Sequence, residues 1–155
     1  MNTRLSVRPA IIAERKALED LQQRASLVWE EYREALLAHP EVFVLPVEQI
    51  EEGRALVAER DGKVVGFAVV LLRDDGDAEL DGLFVEPDMW RAGIGTRLMR
   101  AAEGLAALGG ANVLHVIGNP RAKEFYLACG FVLTGEEQTR FGVGLSMSKA
   151  ISIPQ

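Results

Sequence analysis

The chain has 155 residues, 48% of them hydrophobic, a formal net charge of -6 and a pI near 5.0, which suits one well-formed core and is short for two ordinary domains. The acids outnumber scattered Lys and Arg, which argues against a general nucleic-acid binder, because phosphate affinity comes from clustered cations. Cys129 is the one cysteine, which excludes an internal disulfide and a cysteine-rich metal site and fits a reducing compartment.

Residues 1–8 carry polar and charged side chains where a secretory signal needs an apolar core, and no run of ~18 apolar residues occurs. The expectation is a single domain over residues 1–155, cytoplasmic, with no membrane partner. Leu5-Ser6-Val7-Arg8-Pro9 alternates apolar and polar residues as a first strand does, and Pro9 blocks its continuation. Leu18, Leu21, Ala25 and Val28 then recur at three- and four-residue spacing, which predicts a helix with one apolar stripe. A second helix is predicted over 29–38, stopping before Pro40. From His39 to Glu52, Pro40 and Pro46 surround Val42-Phe43-Val44-Leu45, a structured connection able to cover a pocket.

From Arg54 the period changes to two. Asp61-Gly62 between two apolar runs is a two-residue hairpin signal, and Asp74-Asp75-Gly76-Asp77 turns the chain again. Residues 78–85 form the next strand, with Glu79, Asp81, Leu83 and Val85 on one face and Leu80, Gly82 and Phe84 on the other. After Gly93-Ile94-Gly95 a helix aligns Ile94, Leu98, Ala102 and Leu105, and Gly109-Gly110 ends it. Residues 113–117 read as a buried-type strand, 121–129 as a short helix closed by Gly130, and 131–134 and 145–149 as strands. This is a mixed α/β pattern in which a right-handed crossover makes the fourth and fifth strands parallel neighbours.

Arg91-Ala92-Gly93-Ile94-Gly95-Thr96-Arg97 lies between a strand and a helix, where the first helical amides have no internal partner. Glycines there let an anion approach, and Arg91 and Arg97 add charge at the positive end of the helix dipole, so diphosphate is a natural ligand. A dinucleotide fingerprint would need glycine where Leu98 stands, and a P-loop would need a lysine that is absent. The competing reading of a glycine pair is close packing of the helix on the sheet.

Leu83-Phe84-Val85-Glu86-Pro87, Trp90-Arg91-Ala92-Gly93-Ile94-Gly95, Asn119-Pro120-Arg121-Ala122-Lys123-Glu124-Phe125-Tyr126 and Cys129-Gly130-Phe131 together resemble the GNAT superfamily of N-acetyltransferases. The resemblance covers residues 54–131. It implies a GNAT-like fold, a mostly antiparallel sheet of about seven strands with one parallel pair and flanking helices, and acetyl transfer from acetyl-coenzyme A to an amine. It implies that the coenzyme diphosphate sits on the turn at Arg91, Ala92, Gly93, Ile94, Gly95 and Thr96. Pantetheine would run along Leu83, Phe84 and Val85, where the fourth strand splays from the fifth, with Asn119 as a further partner. The family prefers Gln or Arg three residues before the first glycine, where this chain has Trp90.

An alkylamine of pKa ~10 is protonated at neutral pH, so something must take its proton before attack. By the resemblance Glu79 is the first candidate base and Asp81 the second; the alternatives are a water chain, or acids that only form salt bridges or attract a cationic substrate. Tyr126 stands where the family places the general acid that protonates the coenzyme thiolate; otherwise it is a packing aromatic beside Phe125. A backbone amide near Val85 would stabilise the oxyanion. Asn119 reads independently as a helix cap. Trp29 and Tyr32 lie near the turn that borders the acceptor cleft in GNAT-like folds, or else pack into the core. His39 and His115 are too far apart in sequence for a metal site, and Cys129 reads as core.

The expected acceptor is the primary amine of a small molecule, which Glu79, Trp29 and Tyr32 would contact. The cosubstrate is acetyl-coenzyme A, with no metal and no covalent enzyme intermediate. The rival readings are an acyl-coenzyme A sensor without catalysis and a protein N-terminal or lysine acetyltransferase. The last strand would support a homodimer if it ends the sheet.

Overall fold

In the computed structural model, which describes residues 4–151, the strands are β1 (Leu5–Pro9), β2 (Ala55–Arg60), β3 (Lys63–Leu72), β4 (Ala78–Val85), β5 (Val113–Gly118), β6 (Val132–Thr139) and β7 (Gly142–Ala150). The helices are α1 (Arg15–Ser26), α2 (Glu30–Leu37), α3 (Val47–Glu51), α4 (Ile94–Leu108) and α5 (Lys123–Ala128). The strands form one mixed sheet in the order β1-β2-β3-β4-β5-β7-β6. By contacts the chain divides into two units, Met1–Val69 with Gly82–Ala101, and Val70–Asp81 with Ala102–Gln155.

In the first unit β1 pairs antiparallel with β2 from Leu5↔Arg60 to Pro9↔Leu56, and β2 with β3 down to Arg60↔Lys63. Asp61 and Gly62 turn between them with φ of 52° and 80°, the left-handed pair a two-residue hairpin requires. Leu18, Leu21 and Ala25 are the buried residues of α1. Val28, expected on that stripe, lies past the helix end and is 43% exposed. The connection after α2 contains a 3-10 turn at Pro40–Phe43 and the helix α3; α3 is too short for a 3.6-residue period to show in sequence. Leu45 is held to α1 through both its peptide groups: its N–H donates to Glu19 Oε2 at 2.8 Å, and its carbonyl accepts from Arg15 Nε at 2.6 Å. Gln22 Nε2 also donates to the Val42 carbonyl at 3.2 Å, and Phe43 and Leu45 are buried, so the segment is pinned by buried contacts and hydrogen bonds together. The close approach of α4 to the sheet occurs at Gly66, where a Cβ would lie 2.9 Å from the Phe84 carbonyl oxygen and 3.0 Å from Leu98 Cδ1.

In the second unit β4 and β5 pair in parallel at Ala78↔Leu114 and Glu79↔His115. β5 pairs antiparallel with β7, and β7 with β6. The last strand is therefore interior and β6 ends the sheet, so the condition attached to a dimer through the last strand is not met. β6 runs to Thr139 and β7 starts at Gly142, both longer than the apolar pattern indicates, because Gly135-Glu136-Glu137-Gln138 carries little strand propensity and is ordered by its pairing to β7. β5 alternates: Leu114 and Val116 are buried while Ile117 is 40% exposed, so it is covered on one face and not on both. In the last turns of α4, Ala106 and Ala107 are buried and Leu105 is only partly so, so the buried positions there fall on small residues where a leucine was expected.

Candidate functional site

The segment from β4 to α4 is fixed by side chains of the first unit. Trp90 donates its indole N–H to the Val85 carbonyl at 2.9 Å, and its ring stacks on Trp29 with centroids 5.4 Å apart and planes 28° apart. Arg24 grips Glu86 through two hydrogen bonds, Nε to Oε2 at 3.2 Å and Nη2 to Oε1. The Glu86 hydrogen bonds raise the Arg24 pKa above its ordinary value, because they favour the charged guanidinium. Trp29, expected at the acceptor cleft or in the core, is thus the partner of the tryptophan that departs from the family pattern. Trp29 also caps α2, and the Tyr32 N–H donates to its carbonyl at 3.0 Å.

Beyond Trp90 the chain enters the left-handed region twice, at Arg91 (φ 70°) and Gly93 (φ 83°). For a non-glycine residue this costs about 1–2 kcal/mol. Gly93 is exposed, and a Cβ built on it would meet nothing within 4 Å. Close packing of helix on sheet therefore explains Gly66 and does not explain Gly93. α4 opens at Ile94, and the Arg97 N–H donates to the Gly93 carbonyl at 3.1 Å. The amides of Ile94, Gly95 and Thr96 come before that first turn closes and have no carbonyl four residues back inside the helix. Arg91, Ala92, Thr96 and Arg97 are exposed around them, while Ile94 is 1% exposed and anchors the turn in the core. Upstream, Val85 is buried, Leu83 and Phe84 are half-buried, and the Phe84 ring lies 5.3 Å from Phe67.

The second unit holds the other expected groups. Tyr126 is 8% exposed; its ring meets Phe125 at 5.4 Å and Phe131 at 5.7 Å, both edge-on. It also covers Gly118, where a Cβ would lie 2.9 Å from Tyr126 Cε2. Burial, with a smaller contribution from Cys129, pushes the phenol pKa up to about 12, so Tyr126 keeps its proton well beyond neutral pH and is a weaker acid than a free phenol. Asn119 Oδ1 accepts the Arg121 N–H at 2.9 Å, capping the turn that leads into α5. Cys129 is half-buried and not fully in the core.

Glu79 is half-buried on β4, opposite His115 on β5, and Asp81 is exposed. His115 Nε2 lies 2.9 Å from Asp77 Oδ2. Sequence reasoning missed this pair. The alternation of Asp77, Glu79 and Asp81 is visible in the chain, but the register that sets His115 beside them is a tertiary fact. Among the described residues no group of three or more His, Cys, Asp or Glu side chains could hold a metal ion, and no helix is long and apolar enough to cross a membrane.

The sheet with one parallel pair, followed by a left-handed glycine turn that opens a helix without a third glycine or a P-loop lysine, defines a mixed α/β protein outside both the dinucleotide-fingerprint and P-loop classes. The chain belongs to the acetyltransferase (GNAT) family, whose model matches residues 17–131. It is 37% identical over 92 residues to an uncharacterized N-acetyltransferase of Mycobacterium tuberculosis, a match spanning 56% of this chain and 58% of that protein. Its fold is similar to a GCN5-related N-acetyltransferase of Rhodopseudomonas palustris (TM-score 0.75, 23% identity, 94% of this chain and 95% of that one). It is also similar to the PaiA N-acetyltransferase of Thermoplasma acidophilum, solved with coenzyme A (TM-score 0.74, 21% identity, 95% of this chain and 99% of that one).

Proposed function

We propose that the chain is an N-acetyltransferase that carries acetyl from acetyl-coenzyme A to the primary amine of a small molecule, by direct attack in a ternary complex. The observation that carries this reading is the turn at Arg91 and Gly93, whose left-handed backbone serves no packing need and presents the first amides of α4. Those amides take the coenzyme diphosphate, with Arg91 and Arg97 adding charge. Leu83, Phe84 and Val85 offer backbone groups to pantetheine, Asn119 assists, and an amide near Val85 polarises the thioester carbonyl. Glu79, with Asp81 beside it on the same face, receives the acceptor ammonium and takes its proton. Tyr126 then gives its proton to the departing thiolate and regains one from the amide nitrogen of the intermediate.

A small acceptor is favoured by reading the Val42 to Leu45 stretch, which is tied to α1 by three hydrogen bonds, as a cover over the acceptor pocket, where a protein substrate needs an open groove. The pairing of a buried, protonated tyrosine with an acid-bearing strand disfavours a sensor without chemistry.

Calorimetry with coenzyme A and a thiol-release assay with acetyl-coenzyme A over a panel of small amines and short peptides test this. Heat of association and release with at least one small amine are expected. No heat with the coenzyme overturns the reading of the turn, no release with any acceptor overturns catalysis, and release with peptides alone reassigns the acceptor.

A further inference from the structure

The turn between β3 and β4 is built around one carboxylate. Asp75 Oδ1 accepts the Asp77 N–H at 3.0 Å, and Asp75 Oδ2 accepts from Arg73 Nη2 at 2.6 Å. This fixes the backbone at Asp77, whose own Oδ2 reaches His115 Nε2 at 2.9 Å. A carboxylate has no proton to give, so Nε2 carries the hydrogen and donates it, and the lone pair remains on Nδ1. The side chains of His115 and Asp77 are 31% and 29% exposed, sheltered enough to hold a geometry and open enough to exchange protons with water. Cross-strand partners put their side chains on the same face of a sheet, which sets Glu79 beside His115. Ser148 is the neighbour from β7. Among the described residues, the charged groups that the structure puts near the imidazole are Asp77, Glu79 and, acting electrostatically, Asp75. The Asp75 carboxyl is held below its usual range chiefly by the Asp77 N–H, with Arg73 and His115 adding to the effect.

We propose that His115, oriented by Asp77, is the proton acceptor of the transfer reaction: the proton that an acceptor ammonium gives up at Glu79 moves on to His115 Nδ1. This rests on the acetyl-transfer reading above. The ammonium N–H bond breaks and leaves its electron pair on nitrogen as the nucleophile. An O–H bond forms at Glu79 and breaks as its proton passes to a bridging water, whose own O–H bond breaks as an N–H bond forms at Nδ1. The imidazolium, balanced by Asp77, releases its proton to water after each turnover. A free carboxylate is a poor sink for such a proton, and a free imidazole, about two pKa units more basic, holds it roughly a hundredfold better.

The experiment measures kcat and KM by thiol release between about pH 6 and 10, spanning the ordinary titration ranges of imidazole and alkylamines. It compares the wild-type chain with His115→Gln and Asp77→Asn, using an amine that the wild type acetylates. Calorimetry gives coenzyme affinity, and circular dichroism checks the fold. His115→Gln should lower kcat roughly a hundredfold at neutral pH and leave coenzyme affinity unchanged. The deficit should shrink towards pH 10, where the amine loses its proton unaided. Asp77→Asn should show the same pH signature with a smaller loss, and it carries the test if His115→Gln fails to fold. A loss of equal size at every pH would reduce the pair to a tether between the turn and β5, and unchanged rates would remove His115 from the reaction; either result overturns the proposal. If the wild type releases no thiol with any amine, the acetyl-transfer reading fails and His115 falls with it.

Discussion

Asp61-Gly62 and the stretch from Arg91 to Gly93 both turn the chain through the left-handed region, with φ of 52° and 80° in the first and 70° and 83° in the second. Neither Gly62 nor Gly93 would bring a Cβ into contact with anything. The first turn is consumed by the fold, since it joins Arg60 to Lys63, the last pair of an antiparallel ladder. The second closes no ladder; it delivers the chain to the start of α4, where helical geometry leaves amides unpaired. Similar torsion angles therefore close a hairpin in one place and open a helix in the other, where the proposed function puts the coenzyme diphosphate, and what separates them is the use made of the neighbouring backbone groups.

Substituting each glycine gives the sharpest test of that contrast. If the proposed site is right, Gly93→Val should weaken coenzyme A binding by about a hundredfold or more in calorimetry, about 2.7 kcal/mol, because a side chain would then stand where that proposal puts the diphosphate. Gly62→Val should leave that affinity within about twofold and instead lower unfolding stability by roughly 1–3 kcal/mol in urea, the cost of a branched residue at positive φ. Equal effects on binding would erase the distinction.

On the proposed mechanism, Tyr126 separates holding the coenzyme from using it. Tyr126→Phe should reduce kcat at least about tenfold while coenzyme affinity is kept; an unaltered rate removes the phenol from the mechanism. Its raised pKa also has a stability signature. The folded state holds the proton more tightly than the unfolded chain does, so this contribution is present below the unfolded value near 10 and is lost as pH rises through about 12. Denaturation of the wild type should show a fall on the order of 2 kcal/mol across that window, and Tyr126→Phe should lack it.

Trp90 tests how firmly the second turn is held. Trp90→Ala removes both the stack on Trp29 and the hydrogen bond to Val85 and should cost about 2–3 kcal/mol in urea denaturation; Trp90→Phe keeps an aromatic contact and should cost about 1 kcal/mol. The smallest effect is expected from Arg24→Ala, whose guanidinium is half exposed: its ion pair with Glu86 should be worth under about 1 kcal/mol, shrinking as salt is added.

Much of this molecule can be read along the chain. Local chemistry marks the Asp61-Gly62 hairpin, the apolar stripe of α1, the glycine ends of α4 and α5, and the Asn119 cap, because each depends on residues within a few positions of one another. The turn at Gly93 is visible for the same reason, and so is the family pattern around Tyr126. Helix α3 and the length of β6 escape, since short helices and edge strands are ordered by what they pair with and not by their own propensity; the exposure of Ile117 escapes because which faces of an interior strand are covered is set by residues distant in the chain.

By itself the sequence determined where the chain turns, which faces of its helices are apolar, and that a glycine turn opens a helix after the fourth strand. The tertiary structure alone decided that Trp90 stacks on Trp29, that Gly66 and not Gly93 admits the helix to the sheet, that burial keeps Tyr126 protonated, and that His115 faces Asp77 and Glu79. The physical reason is sequence separation. Torsion and periodicity are properties of neighbours in the chain, whereas register, stacking and desolvation belong to residues that only folding brings into contact.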